Sequence, residues 1–457
     1  MTGGARAVIL AAGQGTRMRS SRPKVLHPLA GYPMLRYVVE AARSATGLAP
    51  LVVLSPSQPE VAHAVEGLAE PIIQPEPRGT GDALRSIPGR LRGQGPVVVA
   101  YGDLPLLRAT TIRSLLQAHE TTGADCVLLS VVPSDPFGLG RVVRDASGHV
   151  LRIVEQRDLD ASAIPPPECN AGVYVFSGER LWPALERLSA DNAQGELYLT
   201  DVVAELAPAV EAVLVTDSEE ALGVNDRAQL ATAEAVMRRR LLGELMLSGV
   251  TVEDPATTYV DASVRVGGDS VLRPMTSLRG DTVLGRECEI GPMAVLIDTR
   301  AGDRVRIGAS LIEGAELGDD VEIGHFDRVR PGTVLSSRVS LGTHAEVKNS
   351  RVGAGSRINH FSCVLDSDLG EGVNVGAGTV TCNFDGREKH RTEIGDGVFV
   401  GSNSSLVAPV RIGRDAYVAA ASIVTHDVPA RALAVGRARQ RNIEQWRDRH
   451  PAEPADG

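Results

Sequence analysis

Aromatic residues are scarce, at 3% of 457 residues: six Phe, seven Tyr and two Trp. Hydrophobic residues reach 43%, so the cores must be built from aliphatic side chains. Cysteine is also sparse. Cys126, Cys169, Cys288, Cys363 and Cys382 are odd in number, and no C-x-x-C or Cys/His spacing marks a disulfide framework or a zinc site. They fit a reducing compartment. No apolar run approaches the ~20 residues that span a bilayer, and the N-terminus runs straight into AVILAAG without a signal-peptide pattern. The expected address is the cytoplasm, with no membrane partner. Positive charge is outnumbered, 47 Lys and Arg against 57 Asp and Glu, for a net charge of −10. That balance argues against nucleic acid as a partner. It leaves room for an anionic substrate held by a local basic site.

What is present falls into two halves. Residues 1–226 alternate β-rich apolar runs (ARAVIL, PLVVLS, PVVVAYGD, DCVLLSVV, AGVYVF) with helical stretches (YPMLRYVVEAARSA, ATTIRSLLQAHETTG, ELYLTDVVAELA). That alternation predicts an α/β, Rossmann-like domain with a mostly parallel sheet covered by helices. Ligands gather beyond the carboxyl ends of such strands, where the loop LAAGQGTRMRSSRPK and the YGD of Tyr101–Asp103 fall. Residues 227–247 contain helix formers and no proline. They read as a linker helix, with the last helix of the first domain as the alternative.

Residues 248–457 carry a period of six. Val266, Leu272, Leu278, Leu284, Ile290 and Leu296 keep step, as do Leu317, Ile323, Val329, Leu335, Leu341 and Val347. Val352, Ile358 and Val364 follow after a slip, then Ile394, Val400, Leu406, Ile412 and Val418. Hexapeptide periodicity is the signature of a parallel β-helix, each unit giving one short strand and one turn. A sandwich of short strands would show period two instead. CNFDGREKHRT (Cys382–Thr392) breaks the repeat. It is either a loop on a binding face, as insertions in solenoids often are, or a plain solvated loop. The tail from Arg437 onward is charged and is expected to fray.

The opening loop has its own chemistry. Backbone N–H groups of a glycine-rich turn can converge on phosphate oxygens. Gly13 and Gly15 permit close approach, and Arg17 and Lys24 add positive charge. The loop lacks the Walker pattern, and Met18 stands where a G-x-G-x-x-G motif has its third glycine. Asp103 and Asn225 carry hard side-chain oxygens. Either residue can instead be a cap, of the turn at Leu104–Pro105 or of the following helix.

LAAGQGTRMRSSRPK resembles the signature of the sugar-1-phosphate nucleotidyltransferases. IIQPEPRGTGDA resembles that family's uridine-recognising segment, YGDLPLL its metal-binding strand end, and FGLGRVV, IVEQRDL and CNAGVY its sugar-binding pieces. LGVNDR resembles its second metal element. Together with the hexapeptide half, the match covers nearly the whole chain and resembles the bifunctional N-acetylglucosamine-1-phosphate uridyltransferase/glucosamine-1-phosphate N-acetyltransferases. The resemblance implies an α/β nucleotidyltransferase domain followed by a left-handed parallel β-helix, acetyl-CoA and UTP as substrates, Mg²⁺, and a homotrimer. It places Leu10, Ala11, Ala12, Gly13, Lys24, Tyr101, Gly102 and Asp103 on the nucleotide, with Gln74, Gly79 and Thr80 reading uracil. Gly140, Glu155 and Asn170 hold N-acetylglucosamine-1-phosphate, and Asp103 and Asn225 hold the metal. Lys24 and Arg17 support the developing charge. Ala171 departs from the family's threonine.

In the second half N-acetylation needs a general base, a phosphate clamp and a slot for the pantetheine. The resemblance makes His360 the base, although a histidine on a β-helix edge is more often a plain surface residue. It places Arg330, Lys348, Cys363 and Asn374 on glucosamine-1-phosphate, and Ala377, Asn383, Phe384, Ser402, Ala420 and Arg437 on acetyl-CoA. Cys363 and Phe384 stand where the family has tyrosines. The competing reading is a single-activity sugar-1-phosphate nucleotidyltransferase whose β-helix is structural or regulatory.

Overall fold

The computed structural model of the chain describes residues 4–159, 164–192 and 194–450. The chain divides into two compact units, residues 1–240 and 241–457. The division falls within one helix, Arg227–Leu247. Its Arg240 donates to Leu106 O in the first unit, and its Leu242 belongs to the core of the second. No helix among the described residues is long and apolar enough to cross a membrane.

The first unit is built on a nine-stranded sheet. Strand Arg6–Leu10 lies between Leu51–Leu54 and Pro96–Tyr101, parallel to both. Being covered on both faces, it is apolar throughout. Ala7 and Ile9 enter one hydrophobic cluster and Val8 and Leu10 the other, as the alternation of strand side chains requires. The sheet is mixed, not uniformly parallel. Strand Cys169–Ser177 runs antiparallel to both Pro96–Tyr101 and Cys126–Val131, and the ribbon Arg141–Arg144/Val150–Val154 attaches to its start. The expected helices appear as Met34–Thr46, Ala109–Thr122 and Thr200–Leu206.

The second unit is a left-handed parallel β-helix. Strands of two to four residues stack into three parallel sheets of 11, 10 and 9 strands. The hexad file points inward: Leu272 pairs with Ile290, Ile290 with Ile307, and Ile358 with Val375. Val266 is half-buried and the other file members are buried in one cluster. The slip between Leu296 and Leu317 arises because several turns there are one residue shorter, so Ala301, Ile307 and Ile312 take over the inward positions.

The corners of the coil are formed by residues with left-handed backbone, a conformation that favours Gly, Asn and Asp. Two corners obey that rule or carry charge, with Asp269, Glu287, Arg304, Asp320 and Asp415 at one and Asp298, Asn349 and Asp366 at another. The third presents Met275, Met293, Phe326, His344 and Phe361, all at positive φ. Phe326 and Phe361 are 63% and 65% exposed, and the imidazole of His344 stacks on Phe361 with centroids 4.8 Å apart. Beneath this corner lies Asp327. It is buried; its Oδ1 accepts from Ala345 N (2.7 Å) and its Oδ2 has no partner. Burial pushes its carboxyl above the usual range.

Candidate active sites

The glycine loop is pinned to neighbouring strands before it turns. Ala11 N donates to Val53 O, and Gly102 N to Leu10 O, each at 2.9 Å. Gly15 has φ 62°, and a Cβ there would lie 2.5 Å from Lys24 Cβ. Only glycine lets the loop fold back over the Lys24 stem. Met18 is buried and anchors the short turn Thr16–Met18, which explains an apolar residue at the departure from G-x-G-x-x-G.

A cleft of about 590 Å³ opens above this loop, within the size range of small-molecule sites. It is lined by Leu10, Ala11, Ala12, Gly13, Lys24, Gln74, Gly79, Thr80, Tyr101 and Asp103. Ten residues singled out from sequence, spread over three loops, thus face one space. Gly102 lies between Tyr101 and Asp103 and is pressed against Leu35 and Ala11.

At the cleft floor Lys24 Nζ donates to Asp103 Oδ2 and to Asn225 Oδ1 (3.1 Å). Arg17 Nη2 donates to the same Asn225 oxygen (2.8 Å). Asn225 therefore does not cap the following helix. Asp226 does, its Oδ1 accepting from Gln229 N (2.9 Å). The carboxylate and the amide oxygen converge on one cation, the geometry that a divalent metal with hard oxygen ligands requires. Among the described residues no group of three or more His, Cys, Asp or Glu forms a cage. A metal on Asp103 and Asn225 would complete its shell from substrate and water.

Gln74 is buried and donates to Asp82 Oδ2 (2.9 Å) and Gly79 O (3.3 Å). Gly79 sits at φ 113° with Leu197 O 2.5 Å from any added Cβ, so glycine is obligatory here. Thr80 opens the next helix, and its Oγ1 accepts from Leu199 N (2.9 Å).

Gly140, Glu155 and Asn170 form a second cluster. Asn170 N donates to Gly140 O (2.8 Å), and a Cβ on Gly140 would sit 3.5 Å from Glu155 Oε2. Burial raises the Glu155 carboxyl, while its partner Thr200, donating through Oγ1 at 3.1 Å, pulls the other way. Asn170 Nδ2 donates to Tyr174 Oη (2.6 Å). Tyr101 touches both clusters through Tyr174 and Thr80, and burial pushes its phenol well up. Thr200 and Tyr174 were not singled out from sequence. Thr200 carried a signal, as a hydroxyl at a helix start in ELYLTD, whereas Tyr174 reads as an ordinary strand aromatic. Ala171 is buried on the same strand.

In the β-helix, His360 ends strand Arg357–His360 beside Thr343 and is exposed. Gly378 N donates to His360 O, Asn403 N to Ala377 O and Ala421 N to Ser402 O. His360, Ala377, Ser402 and Ala420 therefore form one file up successive coils. Above the imidazole that file carries only small side chains. Asn374 is paired with Arg357 at the start of the strand that follows, and Arg437 is exposed beyond the last coil.

Lys348 stands one coil above Arg330, whose N donates to Val347 O. Arg330 Nη1 is held by Glu346 Oε1 (2.9 Å). From the insertion, the Lys389 ammonium lies against Lys348 and depresses it below the usual lysine range. Lys389 is the member of this basic cluster that single-position reading missed. Its only signal was the cluster of basic residues in a segment that breaks the repeat. Asn383 Nδ2 and Asn349 Nδ2 donate to the two oxygens of Asp366. Burial alone would raise that carboxyl, yet these bonds and the nearby lysines hold it low. Phe384 is 59% exposed. Cys363 pairs with Glu346, and burial together with that carboxylate raises its thiol. A thiol so placed is not an activated nucleophile.

Residues 7–209 match the MobA-like NTP transferase domain. Over nearly the whole length the chain resembles proteins called bifunctional protein GlmU. That of Pelobacter propionicus is 46% identical over 97% of this chain and 98% of the relative. That of Thermobifida fusca is 45% identical over 99% and 96%, and that of Brevibacillus brevis 42% over 97% of each. With a nucleotidyltransferase domain joined to a β-helix and a residue cluster in each, the chain belongs to the GlmU family of bifunctional proteins.

Proposed function

We propose that the β-helix acetylates glucosamine-1-phosphate with acetyl-CoA. The first unit then transfers UMP from UTP to the resulting N-acetylglucosamine-1-phosphate, giving UDP-N-acetylglucosamine and pyrophosphate. The observation that carries this reading is the pair of convergent cationic sites, Lys24/Arg17 with Asp103 and Asn225 in one unit and Arg330/Lys348/Lys389 in the unit that also carries His360.

In uridylyl transfer a sugar-phosphate oxygen forms a bond to the α-phosphorus as the bond to the β-phosphate bridge breaks. The chain's work is positioning and charge neutralisation. The Leu10–Gly13 backbone and Lys24 cradle the triphosphate, and Arg17 faces the same floor. Gln74, Gly79 and Thr80 read uracil, and Gly140, Glu155 and Asn170 orient the sugar. Asp103 and Asn225 hold Mg²⁺, which when bound neutralises phosphate charge. In acetyl transfer His360 accepts the proton of the amine as its nitrogen attacks the thioester carbonyl, and CoA leaves as the thiol. Arg330, Lys348 and Lys389 grip the phosphate, with Asn374 and Cys363 beside it. Acetyl-CoA lies along Ala377, Ser402 and Ala420, flanked by Asn383, Phe384 and Arg437.

The assembly is a homotrimer working in the cytoplasm. Support for association is the one corner where large apolar side chains replace the Asp, Asn and charged residues of the other two. An exposed row of Met275, Met293, Phe326 and Phe361 is expected to be covered by a second copy. The five cysteines are free, consistent with a reducing address.

The deciding experiment follows free thiol release from acetyl-CoA with glucosamine-1-phosphate, beside galactosamine-1-phosphate, and UDP-sugar formation by the same protein. Thiol release with glucosamine-1-phosphate is expected. UDP-sugar formation without thiol release from either acceptor would instead assign the β-helix a structural role.

A further inference from the structure

The insertion that breaks the repeat is a small hairpin. Phe384 and Lys389 pair across it, and His390 N donates to Asn383 O (2.8 Å). An isolated two-stranded hairpin is marginal in water, so its ties decide its shape. Three are visible. Asn383 bonds Asp366, and Arg391 makes a bidentate pair with Asp368 (2.8 and 2.7 Å); both tie the base to the coil. The third is at the tip. Asp385 Oδ1 accepts from Arg387 N (2.7 Å) and Glu388 N (2.8 Å), and its Oδ2 contacts His390 Nε2 at 2.8 Å. These bonds hold the Asp385 carboxyl well below the usual range, the Glu388 N–H contributing most, then His390. Successive residues of a strand face opposite ways. When Asp385 and His390 close one face of the hairpin, Phe384 and Lys389 must stand on the other. On that face Lys389 approaches Lys348, because the hairpin base is tied through Asn383 to Asp366, whose N donates to Lys348 O (3.0 Å). Two ammonium groups brought together repel, and the tip needs a fixed geometry to keep them there between acceptor-binding events.

We propose that Asp385 and His390 are positioning residues for acetyl transfer, clasping the hairpin so that Lys389 completes the Arg330/Lys348 phosphate grip. This rests on the assignment of that grip to glucosamine-1-phosphate. The clasp touches no reacting atom. Its effect passes through Lys389, and it acts on acceptor binding more than on the chemical step.

The test uses the full-length protein and measures KM for glucosamine-1-phosphate, kcat of acetyl transfer and thermal melting. His390→Ala is expected to raise KM about tenfold with kcat changed less than about twofold, and to leave uridylyl transfer unchanged. His390→Gln, whose amide N–H still reaches Asp385, should recover most of the loss. In a Lys389→Ala background, which itself raises KM, His390→Ala should add nothing, because residues acting through one another are not additive. An unchanged KM in His390→Ala overturns the inference. So does the same fold rise on top of Lys389→Ala, which would mark a general loosening of the coil. Arg330→Ala separates the two levels of the argument. If neither it nor Lys389→Ala moves KM, the acceptor assignment itself is wrong. If both do and His390→Ala does not, only the clasp fails.

Discussion

The two units solve the same problem, holding a sugar phosphate, in opposite ways. In the first, the candidate groups are interlocked: Lys24 and Asp103 line the cleft and bond each other, Lys24 and Arg17 both bond Asn225, and Glu155 is tied to Thr200 and Asn170 to Tyr174. In the second, they stand on a rim. His360 is exposed, and Lys348 faces another lysine. A sheet covered on both faces places its loops at one end, where side chains from distant segments meet. A single-layer coil only stacks residues a turn apart. It has to recruit an insertion, and by our proposal another subunit, to enclose a ligand.

Independence of the units is tested hardest at their centres. Asp103→Ala should lower uridylyl transfer by on the order of 10³-fold, since removing one preorganised charge partner costs about that much, and should leave acetyl transfer intact. Pyrophosphate release against thiol release in one preparation reads both. Retained Mg²⁺-dependent pyrophosphate release would sink the assignment. His360→Ala is expected to mirror it, with acetyl transfer down by about 10²–10⁴-fold and uridylyl transfer spared. Loss of both activities in a folded protein would contradict separate sites.

Enclosure by a second copy is tested at the apolar corner. Phe361→Glu should shift sedimentation toward monomer and depress acetyl transfer at least about tenfold through mass action, with uridylyl transfer little changed. A stable oligomer with full acetyl transfer would move the interface elsewhere. Smaller still, Cys363→Tyr should lower KM for glucosamine-1-phosphate a few-fold by adding a hydroxyl beside the grip, on the order of 1 kcal/mol. Equal KM values would show that the acceptor does not reach Cys363.

The last contrast concerns stability. Asp327 is a carboxylic acid in a row that elsewhere holds Ser310 and Ser362, whose hydroxyls donate to Gly324 O and Gly376 O. Its folded pKa is raised, so the folded state keeps a proton that the unfolded chain gives up. Stability is therefore full below the unfolded carboxylate pKa and falls as pH rises through the folded one. Asp327→Ser should melt higher than the parent at pH 7 and converge with it near pH 3, as followed by thermal denaturation. A gain on the order of 1–3 kcal/mol is expected for removing an unsatisfied buried oxygen.

Much of both units was legible in the sequence. Inward residues of the β-helix recur every six because each must reach the same axis from a chain that turns at fixed intervals. The slip before Val352 was visible, but the one after Leu296, where shortened turns bring Ala301, Ile307 and Ile312 inward, was not. Strands such as Leu51–Leu54 and Cys126–Val131 show as apolar runs because both faces are buried. Glu70–Ile73 and Val210–Leu214 sit at the sheet edges, are more exposed and carry glutamate, and so escaped notice. The reversed direction of Cys169–Ser177 left no trace, since strand polarity depends on where the connection returns. At the first cleft, the glycines and basic residues of LAAGQGTRMRSSRPK stood out in the sequence, and Gly13, Gly15 and Lys24 line that space. Lys389 was hidden in an insertion whose fold depends on Asp366 and Asp368 one coil away.

By itself the sequence determined periodicity, the change of architecture near the long helix, and the residue types available for phosphate, because those are local properties of neighbouring residues. Tertiary structure alone decided that Lys24 meets Asp103 and Asn225, that Asp226 and not Asn225 caps the helix, and that Lys389 joins Lys348. The first and last of these join segments far apart in the chain, which only the closing of the sheet and the stacking of the coils bring together; the cap falls to Asp226 because the amide oxygen of Asn225 is taken by Arg17 and Lys24.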